Sequence, residues 1–73
     1  MAVGIIKWFQ VEKGYGFITP AEGGKDVFIH VSELEKINIV PVTREYLEGL
    51  RVEYEILTDI RGRRLATNVK VID

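Results

Sequence analysis

Period-two alternation is the feature that most restricts how this chain can fold. Five short segments carry it: GIIKWFQ (4–10), GYGFIT (14–19), DVFIHV (26–31), RVEYEIL (51–57) and LATNVKVI (65–72). Side chains along a strand point to opposite faces in turn, so each segment reads as a strand. No stretch of roughly ten residues shows an apolar stripe at helical spacing, so no amphipathic helix is at hand to cover a sheet. The short connections carry turn chemistry. VEKG (11–14) ends on a glycine, PAEGGK (20–25) joins a proline to paired glycines, and TDIRGRR (58–64) bends at Gly62.

Five β-prone strands in so short a chain leave sheet edges that must be closed or covered. The expected architecture is all-β, a five-stranded antiparallel Greek-key barrel of the OB type, with a longer joint between its third and fourth strands. That joint is residues 32–50. Ser32 and Glu35 stand at capping-box spacing, which predicts a short helical turn begun by Ser32. INIVPV (37–42) is apolar, but Pro41 argues against a central strand. TREYLEGL (43–50) suits a brief helical turn capped by Thr43 and ended by Gly49. Residues 1–73 read as one domain.

Alternation then sorts the faces. Gly16 and Ile18 share one side of the second segment; Tyr15, Phe17 and Thr19 share the other. Val27, Ile29 and Val31 oppose Asp26, Phe28 and His30 in the third, and the charge of Asp26 marks its side as the wet one. In the fourth, Val52, Tyr54 and Ile56 go together; in the fifth, Leu65, Thr67, Val69 and Val71 do. Tyr15, Phe17, Phe28 and His30 are therefore expected outside the barrel. A small domain has few large apolar groups to spare, so an exposed ring cluster implies a use. Rings flanked by lysines suit single-stranded nucleic acid, whose bases stack on aromatic faces and whose phosphates attract cations. Lys7, Lys13 and Lys25 flank the cluster, and Trp8 adds a further ring. Gly14 and Gly16 are expected to keep the surface free of bulk so that bases approach closely.

Charge is the weaker guide. The formal net charge is −1. Residues 33–59 hold a net −4 and residues 60–73 a net +3, so the acids are gathered in one segment and RGRR (61–64) is the densest positive stretch. Several other classes are excluded. There is no cysteine and a single histidine, His30, so neither a disulfide nor a metal site is expected, and no cofactor. Ser32 is better explained as a helix cap than as a nucleophile, and Glu53 and Glu55 as a solvated outer face than as a catalytic pair, so the chain is not read as an enzyme and no small-molecule substrate is expected. No apolar run approaches the roughly 20 residues of a membrane helix. MAVGIIKWFQ lacks the basic start and apolar run of a signal peptide, and the chain is read as soluble and cytoplasmic.

KGYGFI (13–18) resembles the first ribonucleoprotein motif and DVFIHVS (26–32) the second, as they stand in the cold-shock domain; IKWF (6–9) resembles that family's first-strand signature. The similarity covers nearly the whole chain. It implies a barrel that binds single-stranded RNA and DNA, often pyrimidine-rich, in an RNA chaperone or a regulator of transcription or translation. Carried over position by position, it places Lys7, Trp8, Lys13, Tyr15, Phe17, Phe28 and His30 at the binding surface, and Arg61 more loosely. Arg63 and Arg64 join them as phosphate contacts on the charge of RGRR. The chain departs from the family at Gln10, where Asn is usual, and at Val31, where a stacking Phe is usual. Its loop after the third strand is longer, with only Tyr46 to replace a further aromatic. A monomer is expected, with a homodimer as the alternative. The rival function is a protein-interaction module on the same barrel with weakened nucleic-acid binding. Val31, the apolar INIVPV loop and the net charge favour it.

Overall fold

A computed structural model of the chain describes residues 1–39 and 47–72. Among the described residues, the strands β1 (Ala2–Gln10), β2 (Tyr15–Pro20), β3 (Val27–His30), β4 (Arg51–Thr58) and β5 (Arg64–Val71) and the short helix α1 (Val31–Glu35) follow one another with α1 between β3 and β4. The strands close into a barrel in the order β1-β2-β3-β5-β4. All neighbouring pairs are antiparallel except β3 with β5, which meet in parallel through Phe28 and Leu65 and seal the barrel. Among the described residues no helix is long and apolar enough to cross a membrane.

The interior is filled by Ile6, Phe9, Ile18, Val27, Ile29, Leu34, Leu47, Val52, Tyr54, Ala66 and Val69. Ile18, Val27, Ile29, Val52 and Tyr54 occupy the side that alternation assigns them. Two bulges change the parity elsewhere. On β1 the register moves between Ile6, opposite Ile18, and Trp8, opposite Phe17. Lys7 is the extra residue, so Ile6 and Phe9 both point inward although they stand three apart, and Trp8 turns outward. On β5 the register moves between the pairs Glu53–Lys70 and Glu55–Thr67. Asn68 adopts φ 52°, a left-handed conformation that asparagine tolerates better than most residues. Its side-chain amide donates to Glu55 Oε1 at 2.7 Å and its backbone N–H to Glu33 Oε1 at 3.2 Å.

The bulge at Asn68 reverses the expected face of the fifth strand over its first half, from Leu65 to Thr67. Ala66 and Val69 are the inward pair, Leu65 is half-buried on the outer side, and Val71 is exposed. Ile56, expected inside with Val52 and Tyr54, is also exposed, as are Glu55, Leu57 and Thr58 beside it. Tyr54 is fully buried, and its hydroxyl has no hydrogen-bond partner among the described residues. Burial pushes its phenol pKa up, Glu22 adds to the rise, and Arg64 opposes it.

Two further expectations are corrected. Ser32 is not the helix cap. β3 ends at His30, Val31 is already helical, and His30 caps α1, its Nδ1 accepting the Ser32 N–H at 3.1 Å. Nor does Gly16 clear space for a ligand. It faces inward against β1, where an added Cβ would lie 2.7 Å from Phe9 Cδ2 and against the Trp8 carbonyl oxygen. Glycine is needed there for strand packing, not for access. A Cβ on Gly14 would meet Val31 Cγ1 at 3.2 Å, and its φ of 74° closes the β1–β2 turn. The expectations placed on Pro41, Thr43 and Tyr46 lie outside the described residues.

Candidate nucleic-acid interface

Direct strand partners point to the same face of a sheet, so the register builds the outer surface residue by residue. Gln10 stands opposite Tyr15, and Tyr15 opposite His30. Trp8 stands opposite Phe17, and Phe17 opposite Phe28. The outcome is two parallel rows of side chains crossing β1, β2 and β3. β2 and β3 are free of bulges along this stretch, so the face expected from alternation is the face observed: Tyr15, Phe17 and Phe28 are half-buried and His30 is exposed. Trp8 joins them only because of the bulge at Lys7.

The rings form one mutually contacting cluster and remain partly open to solvent. Tyr15 and Phe28 are stacked at 5.5 Å between centroids with planes 22° apart. Phe17 meets Phe28 edge-on at 5.8 Å, Trp8 lies 5.2 Å from Phe17, and His30 lies 6.5 Å from Phe28. These separations fall within the ~4.5–7 Å at which aromatic pairs attract, so the cluster is held in shape before any ligand arrives.

His30 has a second constraint. Its Nδ1 accepts the Ser32 N–H and lies 3.1 Å from Ser32 Oγ. An acceptor at Nδ1 leaves the proton of the neutral ring on Nε2. The helix cap therefore fixes both the tautomer and the pose of the last ring in its row.

An open trough of about 1200 Å³ lies over this face. Tyr15, Phe17, Phe28 and Leu65 line it from the sheet, with Lys25 and Asp26 from the β2–β3 loop and Arg61, Arg63 and Arg64 from the β4–β5 hairpin. The basic residues differ in their freedom. Lys7 is engaged by Asp26 at 3.1 Å, an exposed pair that water and salt weaken. Lys13 sits in the β1–β2 turn, its N–H donating to the Gln10 carbonyl oxygen at 3.2 Å.

Arg63 is taken up by the hairpin itself. Asp59 accepts the backbone N–H groups of Arg61 and Arg63 at 2.9 and 2.8 Å, and the Arg63 Nε–H at 2.9 Å. The Arg63 N–H is the largest influence holding the Asp59 carboxyl below its usual pKa, with the Arg63 side chain and the Arg61 N–H adding to it. The three arginines thus differ in their engagement: among the described residues Arg61 and Arg64 form no ion pair, whereas Arg63 does.

Leu65 is the trough residue that sequence reasoning missed, because alternation without a bulge sends it inside with Val69. Asn68 was the available signal, a poor strand former inside a β-branched run that readily takes positive φ.

Comparison with known proteins identifies the family. The family model for the 'Cold-shock' DNA-binding domain matches residues 2–72. The chain is 40% identical over 70 residues to the cold shock-like protein CspB of Escherichia coli, covering 96% of this chain and 92% of that protein. It is 39% identical over 71 residues to the cold shock protein CspA of Rhizobium meliloti, covering 96% and 97%. It is 41% identical over 71 residues to the major cold shock protein of Micrococcus luteus, covering 97% and 100%. A closed five-stranded barrel with its rings turned outward, matched from end to end by that model, places the chain in the cold-shock domain family of nucleic-acid-binding proteins.

Proposed function

We propose that the chain, as one nucleic-acid-binding domain over residues 1–73, binds single-stranded RNA and DNA and works as an RNA chaperone or a regulator of transcription or translation in the cytoplasm. Bases stack on Trp8, Tyr15, Phe17, Phe28 and His30, while Lys7, Lys13, Arg61 and Arg64 attract the phosphates and Arg63 holds the hairpin that presents its neighbours. The observation that carries this reading is the continuous outward set of rings across β1, β2 and β3, with centroids 5.2–6.5 Å apart. Side chains so placed serve π-faces that are already unstacked, and a duplex has to be opened first. The domain is a binding protein and not an enzyme, and it acts as a monomer. The test is a fluorescence titration of Trp8, which sits in the platform, with single strands and with matched duplexes. Quenching by single strands alone is expected; equal affinity for both would sink the reading.

One observation favours a second reading. Ile60, at the tip of the β4–β5 hairpin, is fully exposed, and Leu57 is 58% exposed. A protein-interaction module would use such side chains. Sedimentation that depends on protein concentration in the absence of nucleic acid would support it.

A further inference from the structure

The row that begins at Trp8 does not stop at the last aromatic ring. Phe28 stands opposite Leu65 across the parallel seam, and Leu65 stands opposite Leu57. The series Trp8, Phe17, Phe28, Leu65, Leu57 therefore takes one residue from each of the five strands and keeps them on one face. Four steps of roughly 4.8 Å give it a length of about 19 Å along the curved surface. Neither leucine is needed inside, because Ala66 and Val69 fill that part of the core. Leu65 lines the trough, and Leu57 is 58% exposed. Arg64 borders the same stretch, paired with Thr58 next along the two strands, and Arg61 lies in the adjoining hairpin. An apolar spot continuous with the rings and edged by cations matches one nucleotide, an apolar base with a phosphate beside it.

We propose that Leu65 and Leu57 form an aliphatic subsite that receives a base of the bound strand beyond Phe28, and that this subsite prefers thymine. The inference rests on the single-strand reading above and adds a site to it. Aliphatic side chains offer no π-face, so the subsite rewards apolar contact rather than stacking. The group that distinguishes thymine from uracil is the C5 methyl, which apolar side chains recognise by contact. Burying one such carbon is equivalent to about 0.8 kcal/mol, or about fourfold in affinity.

The experiment compares oligodeoxythymidine with oligodeoxyuridine of about seven nucleotides, within the ~4–16 that an OB fold covers, so that the sugar is constant. Affinities are read from Trp8 quenching for the wild type, for Leu57→Gln, and for Leu57→Gln with Leu65→Gln. The wild type is expected to favour thymidine, and the double variant to lose about fourfold of that ratio, because thymidine binding weakens more than deoxyuridine binding does. Leu57→Gln alone, at an exposed position that a polar side chain suits, is expected to lower the ratio in the same direction. An unchanged ratio in both variants, or a wild type indifferent to the methyl, overturns the subsite while leaving single-strand binding standing. Absence of quenching by either oligonucleotide overturns both.

Discussion

Phe28 and Ile29 are neighbours in sequence and opposites in role, so their alanine variants separate platform from core. Ile29 is fully buried in the cluster with Ile6, Phe9 and Ile18. Ile29→Ala is expected to cost about 2–5 kcal/mol of stability from lost burial and the cavity left behind. A chain of 73 residues has a total stability of only about 4–11 kcal/mol at typical values per residue. Phe28 instead lies half-buried between Tyr15 and Phe17 on the outer face. Phe28→Ala forfeits its lateral ring contacts, about 1 kcal/mol, which in a domain this small is a fall of roughly 4–8 °C in Tm. The loss in binding is expected at about 1–3 kcal/mol, or roughly 5- to 150-fold in Kd for a single strand. Thermal unfolding followed by circular dichroism gives the first quantity and Trp8 quenching the second. If Phe28→Ala lowers Tm as far as Ile29→Ala does, the ring is core, and the assignment of faces on which the binding surface depends is wrong.

Arg64→Ala is expected to lower the slope of log affinity against log salt by about 0.7, the contribution of one phosphate on a single strand. Arg63→Ala should change that slope less, because Asp59 already holds the side chain; a titration at several salt concentrations compares the two. The Asp59 carboxyl has its pKa lowered in the folded chain from an ordinary 3.8, so its contribution is full above that value and is lost as pH falls through the lower, folded one. Below pH 3.8 the wild type should therefore lose stability more steeply with falling pH than Asp59→Asn, and parallel melting curves would contradict the role given to this carboxylate. Gly16→Ala forces a Cβ against Phe9 and the Trp8 carbonyl and should cost about 1–3 kcal/mol by thermal unfolding. A stable Gly16→Ala variant would show that β1 and β2 can separate more than their packing implies.

The success and failure of alternation in this chain have one physical origin. β2 and β3 pair without interruption from Tyr15 to Ile18 and from Val27 to His30, so counting by two along the sequence finds the outward Tyr15, Phe17, Phe28 and His30. On β5 a single inserted residue at Asn68 reverses the parity, and counting by two then misplaces Leu65. A bulge arises from the twist and closure of the whole barrel, which no local pattern encodes. The helix cap was misjudged for a related reason. S-x-x-E is a good local signal, but the sheet releases the chain at His30, two residues before Ser32, and the imidazole nitrogen takes the position first. The unequal arginines of the hairpin follow from a contact four residues apart, Asp59 to Arg63, which becomes visible only once Gly62 has bent the turn.

The parallel seam carries a mechanical consequence. β3 and β5 share one registered pair, Phe28 with Leu65, whereas each other strand junction has four or more. Opening a barrel requires one junction to part, and the junction with the fewest cross-strand bonds is where that begins. Both residues of the seam line the trough. A polymer lying along the row grips the two sides of this joint at once and acts as an external stitch. Occupancy and closure are then coupled, and the strand amides flanking the seam are expected to exchange with solvent more slowly when the trough is filled.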